Sequence, residues 1–149
     1  MNIEQQLQQT ADRLAIRNLV DQYAYCADTR DAQGQMALFT EDTRFIVFMD
    51  AKSSEPTQVI KRRADLFPVF DNLNTYRVTM HLNAQSTVLQ LEDNAATGIT
   101  YCIAHHQTIK DGAQKLMIAN IKYYDNFVKQ NGKWLFSERK LMVDWIENR

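Results

Sequence analysis

Three histidines carry the acid–base chemistry open to this chain: His81 in TMHLN, and the adjacent pair His105 and His106 in YCIAHHQ. Imidazole titrates near neutrality, so it can take a proton from carbon or oxygen and return it. A fourth group belongs with them. Asp28 follows the last apolar residue of a helical pattern and points roughly where that helix's core face points. The helix dipole disfavours an aspartate at a helix C-terminus, so the position costs stability and reads either as a use or as a solvent-exposed turn residue. A carboxylate beside His81 would fix its tautomer and favour the imidazolium.

The elements that must position these groups follow from periodicity. Ile3 to Ala27 has apolar residues at the helical spacing (Leu7, Leu14, Ile16, Leu19, Val20, Tyr23, Ala24), with Arg13, Arg17, Asn18 and Asp21 on the other side. Asp31 caps a second short helix, Ala32 to Phe39, which Thr40-Glu41-Asp42 breaks. Arg44 to Met49 is a short apolar strand. Pro56 starts a helix to about Leu73, kinked or split at Pro68, which could form a wall or lid of a pocket. The C-terminal half is four strands: Arg77–Leu91, Ala96–Lys110, Lys115–Lys129 and Lys133 to about Trp145. Asp111-Gly112 and Asn131-Gly132 are strong hairpin signals, so these strands form an antiparallel meander. Helices followed by a meander make an α+β domain with the helices on one face of a curved sheet.

Strand Ala96–Lys110 puts successive side chains on opposite faces, so one of His105 and His106 faces inward. Regular pairing through the Glu92–Asn94 turn sets His81 opposite His106. A slip of one residue would select His105 instead. Apolar residues lie on both parities of the second and third strands: Ile99, Ile103, Met117 and Ile121 against Leu116, Ile118 and Val128. Helices can cover one sheet face, and a homodimer or higher homo-oligomer through the other is the economical way to cover the second.

The 149 residues form one domain. A net charge of −1 argues against nucleic acid or an anionic membrane as partner. No apolar run is long enough to span a bilayer, and the first residues carry no secretion signal. Cys26 and Cys102 read as buried free thiols in a reducing cytoplasm.

The helix ending in YAYCADTRDAQGQMALFTED, the TMHLN and YCIAHHQ strands and the hairpin YYDNFVKQNGKWLFSER together resemble the nuclear transport factor 2-like superfamily, in the branch of SnoaL-like domains and scytalone dehydratase. The resemblance covers nearly the whole chain. It implies a cystatin-like cone, with the curved antiparallel sheet wrapped around the N-terminal helices over an internal pocket. It also implies that Asp28 orients His81 and that His106 is the second pocket histidine. The implied activity is a cofactor-independent lyase, dehydratase or dehydrohalogenase, or an isomerase, acting on a cyclic or aromatic carbonyl compound. No cofactor and no metal is implied. Dehydratases of this type hold a water on the substrate carbonyl with two tyrosines, and Ala27 and Val47 stand at those positions here. Tyr23, Tyr101 and Tyr123 are the tyrosines able to compensate, and with Val47 they are the expected substrate-binding residues.

Two other readings are open. The superfamily includes ligand carriers and the structural small subunits of aromatic-ring dioxygenases, and fold alone does not decide between these and an enzyme. Asp28, His81 and His106 also make a two-histidine, one-carboxylate set of the kind that holds a metal. Outside the site, Arg139 is expected to pair with an acidic residue such as Asp125, and Asp31 to serve as a helix cap.

Overall fold

The computed structural model describes all residues, 1–149. Helix α1 runs Ile3–Asp28, opened by Asn2, whose side chain accepts from the Gln5 N–H while the Gln5 side chain accepts from the Asn2 N–H. The chain leaves it through Arg30, in the left-handed region at φ 62. Asp31 then caps α2, Ala32–Met36, by accepting from the Gly34 N–H. A Cβ on Gly34 would lie 2.3 Å from that carboxylate, so the cap needs glycine there.

Six strands form one sheet in the order β2-β1-β6-β5-β4-β3. They are β1 Phe39–Phe48, β2 Gln58–Ile60, β3 Val78–Leu91, β4 Ala95–Lys110, β5 Ala113–Gln130 and β6 Lys133–Asn148. The expected meander is β3 to β6, turned at Asp111-Gly112 and Asn131-Gly132, where all four residues take positive φ. The sheet is nonetheless mixed. β1 lies parallel to β6, so the expectation of a wholly antiparallel sheet is corrected at that seam.

The other departures lie in the first half. α2 stops at Met36, and Phe39 through Asp42 belong to β1, because Phe39 pairs with Phe136 of β6 and draws the chain into the sheet. The Pro56–Leu73 helix is not formed. In its place are β2 on the edge of β1, a 3₁₀ turn at Arg63–Asp65, the short α3 at Phe67–Asp71 and a 3₁₀ turn at Asn72–Thr75. Pro68 lacks an N–H and sits in the first turn of α3, where none is needed, so it starts a helix instead of kinking one.

The core lies between the sheet's inner face and α1, α2 and α3. It is aromatic around Tyr23, Phe39, Phe45, Phe70, Tyr123 and Phe136. Arg139, 0% exposed, sits among these rings with its guanidinium carbon 3.6 Å from the Tyr123 centroid and 4.2 Å from that of Tyr23. Its charge is met by Asp125 at 3.0 Å, as the sequence led us to expect. Asp12, buried in α1, accepts from the Trp134 indole at 3.0 Å and from Lys129 at 2.9 Å, which pins the helix to the β5–β6 hairpin. Val78, Met80, Leu82, Tyr101 and Ile103 stand exposed on the outer face of β3 and β4. No helix is long and apolar enough to cross a membrane.

Candidate active site

Asp28 closes α1 beside β3 and accepts three hydrogen bonds. Its Oδ1 takes the His81 ring Nδ1–H at 2.7 Å and the Thr79 hydroxyl at 2.9 Å. Its Oδ2 takes the His81 backbone N–H at 2.8 Å. The direction of the Thr79 bond is forced from behind. Arg30 has only donors and gives one to Thr79 Oγ1 at 2.8 Å, so the hydroxyl's single proton goes to Asp28. Burial alone would raise the Asp28 pKa, but the His81 and Thr79 bonds outweigh it and hold the carboxyl below its ordinary value. An ionised carboxylate cannot donate, so the proton of the short contact belongs to His81 Nδ1. That leaves Nε2 as the basic atom of His81.

His106 faces the same cavity, as in the regular register, although two bulges in β3 shift the pairing. At the hairpin end Leu91 pairs with Ala96, the regular register. One bulge between Val88 and Gln90 and another between Asn83 and Ser86 each move the pairing by one residue, so His81 lies opposite Ala104 and His106 opposite Thr79. One slip would have brought His105 inward, whereas two restore the parity. His81 and His106 therefore sit diagonally on one face, ring centroids 5.9 Å apart. The His106 ring nitrogen Nδ1 lies 3.3 Å from the Met117 carbonyl, which can only accept, so Nδ1 carries the proton and Nε2 is free to accept. Burial, then the neighbouring His81, press the His106 pKa below its ordinary value. Tyr76 packs against His106 at 4.8 Å between ring centroids, and its carbonyl accepts from Arg30.

The cavity that both histidines line is about 260 Å³ and mostly apolar, walled by Phe45, Val69, Phe70, Ile121, Leu141 and Val143 among others. Tyr23, Val47 and Tyr123 line it, as does Ala27. Burial pushes the Tyr23 hydroxyl up to about 12 and raises that of Tyr123 well above its ordinary value, so both are neutral donors at any physiological pH. Tyr101 is corrected: it lies on the opposite parity of β4, exposed on the outer face beneath the Lys122 ammonium, and does not reach the cavity. His105 shares that outer parity. Gln35, Tyr76 and Asn72 line the cavity without having been singled out in the sequence. Periodicity carries no signal for residues in short helices and turns. The carboxylate of Asp28 and Nδ1 of His81 are turned onto each other, and no three His, Cys, Asp or Glu side chains are grouped to hold a metal ion.

The chain matches the model of the SnoaL-like domain over residues 8–140, which takes in the dyad, most of the cavity lining and all of the sheet but the last part of β6. It is a member of the SnoaL-like domain family. Three solved structures place this SnoaL-like chain among cone folds. One is a protein provisionally assigned as a scytalone dehydratase from Novosphingobium aromaticivorans, 22% identical, covering 95% of this chain and 90% of that one at a TM-score of 0.82. Another is a hexachlorocyclohexane dehydrochlorinase, LinA type 2, 15% identical, covering 97% and 93% at 0.82. A third is a Nostoc punctiforme protein of unknown function with a cystatin-like fold, 21% identical, covering 90% and 92% at 0.71. No curated protein matches at a significant level. At these identities the likeness carries the fold, a SnoaL-like α+β cone.

Proposed function

We propose that this SnoaL-like protein is a cofactor-independent lyase that eliminates water or halide from a small cyclic carbonyl compound, with His81 as the proton-transferring base. The observation that carries the reading is the Asp28–His81 contact of 2.7 Å at the wall of a mostly apolar cavity. His81 Nε2 takes the proton from the carbon next to the carbonyl. The C–H electrons form the new double bond through an enolate, and the C–O or C–halogen bond breaks. For a hydroxyl leaving group the His81 imidazolium returns its proton, so water departs and the histidine is regenerated. For halide, the proton passes to solvent. Asp28 stabilises the imidazolium between these steps.

His106 is neutral in this scheme. Its Nε2 accepts a hydrogen bond from the substrate and orients it; protonating it as a separate general acid works against burial and His81. The cavity's volume lies below the usual range for drug-sized ligands, which suits one ring or a compact fused pair. We also propose that the exposed apolar residues of β3 and β4 are covered by a further copy of the chain, making a homodimer or higher homo-oligomer.

The test is turnover of a panel of hydroxylated and halogenated cyclic ketones, followed by NMR, in wild type and His81→Ala. Turnover lowered about 10²–10⁴-fold in the variant is the expected result. Equal turnover in both would overturn the role of His81, and binding without turnover would make the protein a carrier.

A further inference from the structure

The cavity wall holds one buried amide that nothing in the protein satisfies. Gln35, on α2, is 2% exposed and lines the cavity. Its side chain makes no hydrogen bond to the protein. The buried polar atoms sealed off without a partner are Thr40 Oγ1, His105 Nδ1 and Arg139 Nη1; the Gln35 amide is not among them, since what surface it keeps opens onto the cavity. A buried amide with no protein partner is destabilising, and leucine of similar volume would fill the same place without that cost. The surroundings make the choice more pointed. Ala27 and Val47 line the same cavity and offer no donor, Tyr23 and Tyr123 are packed edge-to-face in the aromatic core, and the dyad and His106 offer basic nitrogens on the β3–β4 side.

We propose that the Gln35 amide is the ligand's polar anchor: its N–H donates to a carbonyl oxygen of the substrate, so that the ring beside that carbonyl lies in the apolar part of the cavity. This rests on the elimination reading for the reaction, but the binding claim stands on its own observable. A donor on the carbonyl oxygen also stabilises the enolate that proton removal creates, so the same bond strengthens as charge develops. In the free protein, water in the cavity can satisfy the amide, and the carbonyl replaces it on binding. A site built to hydrogen-bond a ligand group discriminates strongly against the analogue lacking it.

The experiment compares 1-tetralone with tetralin, the same fused ring with and without the carbonyl, by ligand-observed NMR on wild type, Gln35→Leu and His81→Ala. Wild type is expected to bind the ketone about tenfold or more tightly than the hydrocarbon. Gln35→Leu is expected to lose that preference while still binding tetralin, and His81→Ala to keep it. Thermal melting supplies a second readout. Gln35→Leu is expected to melt at or above the wild-type temperature, because an unpartnered amide is removed. A preference retained in Gln35→Leu, a lowered melting temperature, or equal or absent binding of the two probes by wild type overturns the proposal. Failure of the elimination reading would look different: the preference for the ketone would stand while no ketone is turned over.

Discussion

Asp28 grips His81 twice, taking the ring Nδ1–H on one oxygen at 2.7 Å and the backbone N–H on the other at 2.8 Å. The ring bond sets the tautomer, and the backbone bond ties the end of α1 to β3 so that the ring cannot drift from the carboxylate. Thr79, loaded by Arg30, supplies the third donor.

Asp28→Asn is isosteric but cannot serve as a pure acceptor for these donors. Turnover of any substrate found is expected to fall about 10²–10⁴-fold with KM little changed, because the lost interaction belongs to the imidazolium. Stability gives an independent check. The folded-state pKa of Asp28 lies below its ordinary value of about 3.9, so its contribution is fully present above that pH and fades as pH falls through the lowered pKa. The difference in melting temperature between wild type and Asp28→Asn should therefore shrink in strong acid.

His106 is expected to titrate by NMR with a midpoint below the usual value of about 6.5. The unfolded chain then binds more protons than the folded one just below that pH, so stability falls as the solution is acidified through this window. His106→Asn should flatten that part of the stability profile. A midpoint above the ordinary value would contradict the neutral role given to this ring.

Arg139 and Asp125 share one buried ion pair, both side chains 0% exposed. Asp125→Ala leaves the guanidinium charged and unpaired among Tyr23, Tyr123 and Phe136, and should cost about 3–5 kcal/mol in urea unfolding. The double variant Asp125→Leu/Arg139→Met should cost clearly less than Asp125→Ala alone, because no charge is stranded.

Light scattering at low protein concentration should find an assembly larger than one chain. Met80→Lys combined with Ile103→Lys places two charges on the outer face of β3 and β4, on the side of the sheet away from the cavity, and should release monomers that keep the wild-type fold by circular dichroism.

What the sequence by itself determined is what local chemistry controls. The helical spacing from Ile3 onward, the two hairpins turned by Asp-Gly and Asn-Gly, and the alternation along Ala96–Lys110 all depend on neighbours a few residues away, and the structure has them within three residues of the expected ends. The pairing of Asp28 with His81 came from the family resemblance of the motifs that carry them, since residues more than fifty positions apart share no local pattern. Tertiary structure decided the rest. The parallel seam between β1 and β6 joins residues almost a hundred positions apart, and no local pattern encodes it. The inward face of His106 is the one regular pairing gives, and it survives only because the slips of two bulges cancel in parity, so that His81 and His106 end up diagonal instead of directly opposed. Pro56–Leu73 broke into short pieces because its apolar residues meet the cavity and β1 instead of one helical stripe. Gln35 became a cavity residue only when α2 was laid against the sheet, since a lone glutamine has a meaning set by what surrounds it.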